Sequence, residues 1–257
     1  MPPVLFECNN AVGVITLNRP DKLNSFNREM ALLLQDILDS CKDPSVRCVY
    51  ITGAGKGFSA GQDLAEVVDP QGPGMQRILS EHYNPVITRI KRLEKPVVAA
   101  VNGVAAGAGA NMALCCDVVV AAQSASFIQA FSKIGLIPDS GGTYTLPRLI
   151  GWQKASALMM LGDKVAAADA ERLGMLYKVF PDETFKEESI KIATTLAAMP
   201  TKGLAYTKQI LSISFTNSLE EQLQEEDIMQ QRAAGTADYK EGVQAFLEKR
   251  PPVFKGE

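Results

Sequence analysis

Gly103-Val-Ala-Ala-Gly-Ala-Gly-Ala-Asn-Met112, running straight out of the apolar stretch 96–101, is the segment whose reading decides this chain. The apolar run predicts a buried strand, and the small residues after it predict a tight turn into a helix over about 108–115. The first amides of a helix lack an internal acceptor, and the helix dipole adds partial positive charge there. Small side chains leave room for a carbonyl oxygen to rest on those amides. Close helix packing through glycine and alanine is the other reading of the same residues. Downstream, Gly135-Leu-Ile-Pro-Asp-Ser-Gly-Gly142 sets a lone carboxylate, Asp139, between an apolar run and two glycines. Poor hydration there raises a carboxylate's pKa toward the range useful to a general base. The competing role is an N-cap for a helix beginning near Thr143. Backbone donors with one desolvated base form the pair that proton removal beside a carbonyl requires.

Outward from that centre, strands alternate with helices. Residues 4–8 and 12–17 are β-rich runs joined by Asn9-Asn10, a hairpin signal. The stripe Met30, Leu33, Leu34, Ile37, Leu38 and Cys41 predicts a helix over about 27–41. Residues 47–52 read as a buried strand, 117–122 as another because Val-Val-Val is strongly β-branched, and 176–180 as the last. A helical stretch over about 74–93 is expected to break near Asn84-Pro85, since proline lacks an amide hydrogen and crowds the preceding turn. From about residue 183 onward the pattern is helical, over 187–198, 201–212, 219–233 and 237–249. Alternation followed by a run of helices predicts an α/β core with a helical carboxy-terminal part.

Composition narrows the chemistry. A net charge of −3, with no lysine- or arginine-rich block, argues against nucleic acid as a partner. No apolar run approaches the roughly 18 residues of a membrane span. The opening Met1-Pro-Pro-Val-Leu-Phe-Glu-Cys8 has no basic n-region, so the expectation is a cytoplasmic protein without a secretory signal. Cys8, Cys41, Cys48, Cys115 and Cys116 are odd in number and lack Cys-x-x-Cys spacing, which predicts buried thiols, with no disulfide framework or zinc site. His82 is the only histidine, and this removes most triads and most catalytic metal sites. Its setting in Glu81-His-Tyr-Asn-Pro85 predicts a surface or interface position.

The loop Gly53-Ala-Gly-Lys-Gly-Phe-Ser-Ala-Gly-Gln-Asp63 follows a strand and is glycine-rich, so nucleotide binding has to be tested. Lys56 is followed by Gly57 where a P-loop needs Ser or Thr, and Phe58 stands in the third glycine's place of the dinucleotide pattern. What remains is a loop whose amides can approach a ligand closely, or a simple tight turn. Asp63 reads as the cap of a short helix and Asp117 as the start of a strand. Tyr83, Phe127, Phe131 and Tyr144 could line an apolar acyl pocket or pack in the core. Lys249, Arg250 and Lys255 could meet phosphates or form a solvated tail.

Together these motifs resemble the crotonase, or enoyl-CoA hydratase/isomerase, superfamily. Leu17-Asn-Arg-Pro-Asp-Lys-Leu-Asn-Ser-Phe26, Gly57-Phe-Ser-Ala-Gly-Gln-Asp-Leu64, Asn102-Gly-Val-Ala-Ala-Gly-Ala-Gly109, Ile137-Pro-Asp-Ser-Gly-Gly-Thr143 and Glu241-Gly-Val-Gln-Ala-Phe-Leu-Glu-Lys-Arg250 are similar to its ordered signatures. The resemblance implies an α/β fold: a ββα spiral core over 1–196, carrying the acyl-CoA site, and a C-terminal α-helical trimerisation region over 197–257. It implies a homotrimer or dimer of trimers, and an acyl-CoA thioester substrate, with no separate cofactor and no metal. Carried over by motif, the thioester oxygen rests on the amides of Ala60 and Ala108. Lys22, Leu23 and the loop Ala60, Gly61, Gln62 and Asp63 border the CoA moiety. Gly107, Asn111, Phe131 and Tyr83 complete the substrate site.

Departures from the pattern direct the reaction. The two glutamates of the hydratases fall on Asn111 and Phe131, neither of which can act as a base. Asp139 falls where some isomerase members of the superfamily carry their single acid. The implied activity moves a double bond between positions 3 and 2 of an enoyl-CoA, or opens the ring epoxide of an aromatic acyl-CoA. Two alternatives stand beside it: a hydratase using Asp139 with a water, and a non-catalytic acyl-CoA- or RNA-binding member of the fold.

Overall fold

Val97–Val101 is apolar at every residue, so a strand made from it must be covered on both faces, which is the habit of parallel sheets wrapped by helices. The computed structural model, which describes residues 1–257, places this strand (β5) inside a six-stranded sheet. At one edge of the sheet β1 (Val4–Asn9) and β2 (Val12–Leu17) form the expected antiparallel hairpin, with Val4 opposite Leu17. β3 (Cys48–Gly53), β5, β7 (Val118–Ala122) and β10 (Lys178–Phe180) follow in parallel, giving the order β1-β2-β3-β5-β7-β10.

A second sheet runs β4 (Gly57–Ser59), β6 (Val104–Ala106), β8 (Ser126–Ile128) and β9 (Lys164–Ala166). β3, β5 and β7 each lead within a few residues into one of these short strands and then into helix. That is the ββα spiral. The four short strands are absent from the sequence reading, in which 103–107 is a turn. Three residues are too few to display a period of two, and glycine, alanine and serine carry little strand preference.

The helices are α1 (Arg28–Ser40), α2 (Leu64–Val68), α3 (Gly74–Arg77), α4 (Asn84–Arg92), α5 (Ala108–Leu114) and α6 (Gly142–Ile150). They continue as α7 (Trp152–Leu161), α8 (Ala167–Leu173), α9 (Phe185–Ala198), α10 (Thr201–Ile213), α11 (Leu219–Ala234) and α12 (Ala237–Glu248). Asn27 caps α1 by accepting from Met30 N at 3.0 Å, and Ser218 closes a capping box with Glu221 at the start of α11. The stripe read on α1 faces the core, where Met30, Leu34, Leu38 and Cys41 are buried. Helices α10 to α12 and the connection after α10 leave Leu211, Phe215, Leu223, Phe246 and Leu247 exposed. No helix is long and apolar enough to cross a membrane.

Four expectations are corrected. His82 is fully buried, with Nε2 3.2 Å from Arg28 Nη1, and burial holds its imidazole pKa below the usual value. Cys8 is exposed, whereas the other four thiols are buried. The carboxy-terminal tail is tied down: Asp238 accepts from Lys255 N and Gly256 N at 2.6 and 2.8 Å, and Arg47 Nη1 donates to Phe254 O at 2.8 Å. Arg250 is paired with Glu241 and Glu248, so it is not part of a free basic cluster.

The fourth correction concerns Pro85, which breaks nothing. Helix α3 runs through the π-helical segment Ile78–Tyr83 directly into α4, with Pro85 at its second residue. Proline denies an amide to the carbonyl four residues back, that of Glu81. Gln35 Nε2 from α1 donates to that carbonyl at 2.7 Å. A buried acceptor supplied by a neighbouring helix removes the reason for a break. Gln35→Leu, which withdraws this donor, is expected to cost about 1–2 kcal/mol in a urea unfolding titration; unchanged stability would show that the carbonyl needs no such partner.

Candidate active site

Two backbone segments cross where β4 and β6 end, and glycine makes the crossing possible. A Cβ on Gly61 (φ +88°) would lie 2.9 Å from Ala106 O and 3.4 Å from Ala108 N. A Cβ on Gly109 would collide with Ser59. Gly107, at φ +52° and ψ −127°, adopts a conformation that side chains rarely allow and hands the chain to α5. Ala108 is the first residue of that helix, so its N–H has no helical acceptor.

The loop on the other side of the crossing is held by the 23–26 segment. Phe26 N donates to Gly61 O at 2.7 Å and Asp63 N donates to Phe26 O at 2.8 Å, a parallel bridge in which the N–H of Gln62 faces away from Phe26. Ala60 N, in contrast, donates to Leu23 O at 2.9 Å. Of the two amides expected from the motifs, Ala108 is therefore available and Ala60 is engaged within the fold. The available donor on the loop is Gln62. Motif position locates the loop, but only strand pairing decides which of its amides turns outward.

Leu23 (φ +48°) and Asn24 (φ +54°) are both left-handed. Asn24 stabilises this turn through its side chain, donating to Ala54 O and Gly57 O at 2.9 and 2.8 Å and accepting from Arg19 N at 2.8 Å. Lys22 and Leu23 sit exposed at the rim. Asp63 caps α2 through Ala65 N at 3.1 Å and pairs with Arg19 at 2.8 Å. Burial pushes its carboxyl up, but Arg19, the Ala65 N–H and Lys22 together outweigh burial and keep the pKa below the usual range. That carboxylate is structural, as is Asp117, which accepts from Val97 N and pairs with Lys208, both at 2.8 Å.

Asp139 differs from both. It is half-buried, its Oδ1 accepts only from Ser140 Oγ at 2.9 Å, and burial raises its pKa above the usual carboxylate value. It is not the N-cap of α6; Gly141, at φ +72°, occupies that position. Leu136 and Ile137, its apolar neighbours in sequence, are exposed, whereas Tyr83, which feels its charge, is buried. The Tyr83 hydroxyl is pushed well above its usual pKa by burial first and then by the nearby negative charges of Asp139, Glu66 and Asp63.

Asn111 is buried and wholly engaged: Nδ2 donates to Asp139 O at 2.9 Å, and Oδ1 accepts from Gln129 Nε2 at 2.8 Å. It anchors the Asp139 loop to α5 and offers no base. Gly142 packs so closely on the same carboxamide that a Cβ there would collide with it. Phe131 is buried, with its ring beside Gly107, and Phe127 belongs to the core. Tyr144 is half-exposed beneath the Arg148 guanidinium, 3.6 Å from the ring centroid. The aromatic residues gathered at the crossing are Tyr83 and Phe131. Sequence reasoning missed Ser140, Gln129 and the role of Asn24. Asn24 and Ser140 carried a signal, since both lie inside quoted motifs.

Comparison with known proteins identifies the family. The profile of the family described as Enoyl-CoA hydratase/isomerase matches residues 7–257. The chain is 48% identical over 257 residues to 1,2-epoxyphenylacetyl-CoA isomerase of Escherichia coli (strain K12), covering 98% of each chain. It is 36% identical over 248 residues to the mitochondrial enoyl-CoA hydratase of Pongo abelii, covering 96% of this chain and 84% of that one. Among solved structures, an enoyl-CoA hydratase from Bacillus anthracis superimposes with a TM-score of 0.95 at 34% identity, over 99% of this chain and 100% of its own. The chain belongs to the enoyl-CoA hydratase/isomerase family.

Proposed function

We propose that this chain is an acyl-CoA isomerase in which Asp139 is the single acid–base group. The observation that carries the reading is a half-buried carboxylate bonded only to Ser140, with no cation on it, held by Asn111 against the helix whose first amide is free. The thioester oxygen rests on the N–H groups of Ala108 and Gln62. Asp139 removes a proton from the carbon beside the thioester. The C–H electrons enter the carbon framework, and the resulting enolate charge collects on the oxygen, where preorganised amides stabilise it. Asp139 then returns the proton two carbons further along, and the double bond has moved. Neither water nor a redox partner enters the balance.

The name of the Escherichia coli relative makes the ring epoxide of phenylacetyl-CoA the first substrate to try. Hydration is the second reading, favoured by the relatives that bear the hydratase name, and it would use Asp139 to activate a water. Incorporation of labelled water oxygen into a 3-hydroxyacyl-CoA product separates the two. The uncovered apolar face of α10 to α12 supports assembly as a homotrimer or a dimer of trimers.

Asp139→Asn is expected to lower kcat on a 3-enoyl-CoA by about 100-fold or more while circular dichroism stays unchanged; a rate near that of the parent would end the acid–base assignment. The base must be ionised to act, so the acid limb of the kcat/KM profile should fall at a pH above the ordinary carboxylate range. Stability shows the opposite sign. A carboxyl whose folded pKa is raised contributes stability that is present below the unfolded value, about 3.9, and is lost as pH rises through the raised one. Asp139→Asn is therefore expected to raise Tm at neutral pH and to give no gain at pH 3. An equal Tm difference between variant and parent at both pH values would contradict the burial argument.

A further inference from the structure

The carboxamide of Gln62 is clamped at both ends. Tyr83 Oη donates to Gln62 Oε1 at 2.8 Å, and Gln62 Nε2 donates to Glu66 Oε2 at 2.8 Å. Glu66 is fixed in turn, its Oε1 accepting from Arg28 N at 2.8 Å. Tyr83 also packs edge-on against Phe26, with centroids 5.9 Å apart at 65°, and Phe26 is the residue that bridges the other side of the Gln62 peptide. Backbone pairing by Phe26 and side-chain pairing by Tyr83 thus leave one orientation for the N–H between them.

Tyr83 reaches this position because it ends the π-helical segment. One extra residue in a helix rotates everything after it by about 100°, since an α-helix has 3.6 residues per turn. Ile87, four residues on, lies where a Cβ on Gly141 would be 3.7 Å away. One helix face therefore meets the Gln62 loop and the Asp139 loop together.

We infer that Tyr83 is a positioning residue: through its hydrogen bond to the Gln62 side chain it aims the Gln62 N–H at the thioester oxygen. The inference rests on the isomerase reading for the place of that oxygen. A hydroxyl is required for this, whereas an aromatic ring alone would serve packing. A peptide released at one end can tilt, and an oxyanion donor displaced by a fraction of an ångström loses much of its effect.

Tyr83→Phe keeps the ring and removes the hydrogen bond. It is expected to lower kcat by about 10- to 100-fold with KM within about 2-fold of the parent. The infrared stretch of the thioester carbonyl, recorded on bound butanoyl-CoA, a saturated acyl-CoA with no double bond to move, should shift less to low frequency than in the parent. Gln62→Met, which keeps the amide and loses the carboxamide, should match it, and the double variant should be no worse than either single one. Parent-like kcat and carbonyl shift in Tyr83→Phe would overturn the inference, while an inactive Asp139→Asn beside it would leave the isomerase reading standing. A fully active Asp139→Asn together with a diminished shift in Tyr83→Phe would do the reverse. Should Gln62→Met fail to fold, Tyr83→Phe alone decides.

Discussion

Everything at the site depends on two stretches of main chain lying closer together than side chains permit. Gly61 rests on Ala106 and Ala108, and Gly109 rests on Ser59, with a Cβ excluded or crowded at both. Because the chains touch, an amide of the 60–62 loop and the first amide of α5 open onto the same space. Both donors belong to the main chain, so neither is itself carried on a side-chain rotamer. The cost is conformational freedom surrendered by glycine on folding, which the hydrogen-bonded turn at Asn24 and the Phe26 bridge offset.

Charge is distributed around this crossing in a way that singles out one carboxylate. Asp63 is held by Arg19, Asp117 by Lys208, and Glu81 by Arg77 and Arg28, which draw its carboxyl down to about 2. Asp139 has a neighbouring hydroxyl and no cation. Pairing lowers a carboxylate's proton affinity and desolvation raises it, so the unpaired, half-buried group is the one suited to accept and return a proton. The Asn111–Gln129 chain of amides holds its backbone from behind without adding charge.

Helix irregularity serves the same end. A proline that the sequence marks as a break is absorbed by a π-helical segment and a borrowed donor, Gln35, and the register that results carries Tyr83 to the Gln62 side chain. His82, adjacent, is drawn into the interior by the same rotation.

The amino-acid sequence by itself determined the hairpin, the buried strands β3, β5 and β7, and the four carboxy-terminal helices to within a few residues. Each has a long apolar period or a β-branched run that no other structure satisfies. It also singled out Asp139 as a candidate, since apolar residues and glycines are its immediate neighbours in the chain. Tertiary structure decided the rest. The short strands of the second sheet exist only because β3, β5 and β7 align them. Burial of His82 follows from helix register, and exposure of Leu136 and Ile137 from the course of the loop before α6, neither of which local composition encodes. Ala60 and Gln62 differ in which way their N–H points, and that direction is imposed by pairing with Leu23 and Phe26, residues more than thirty positions away.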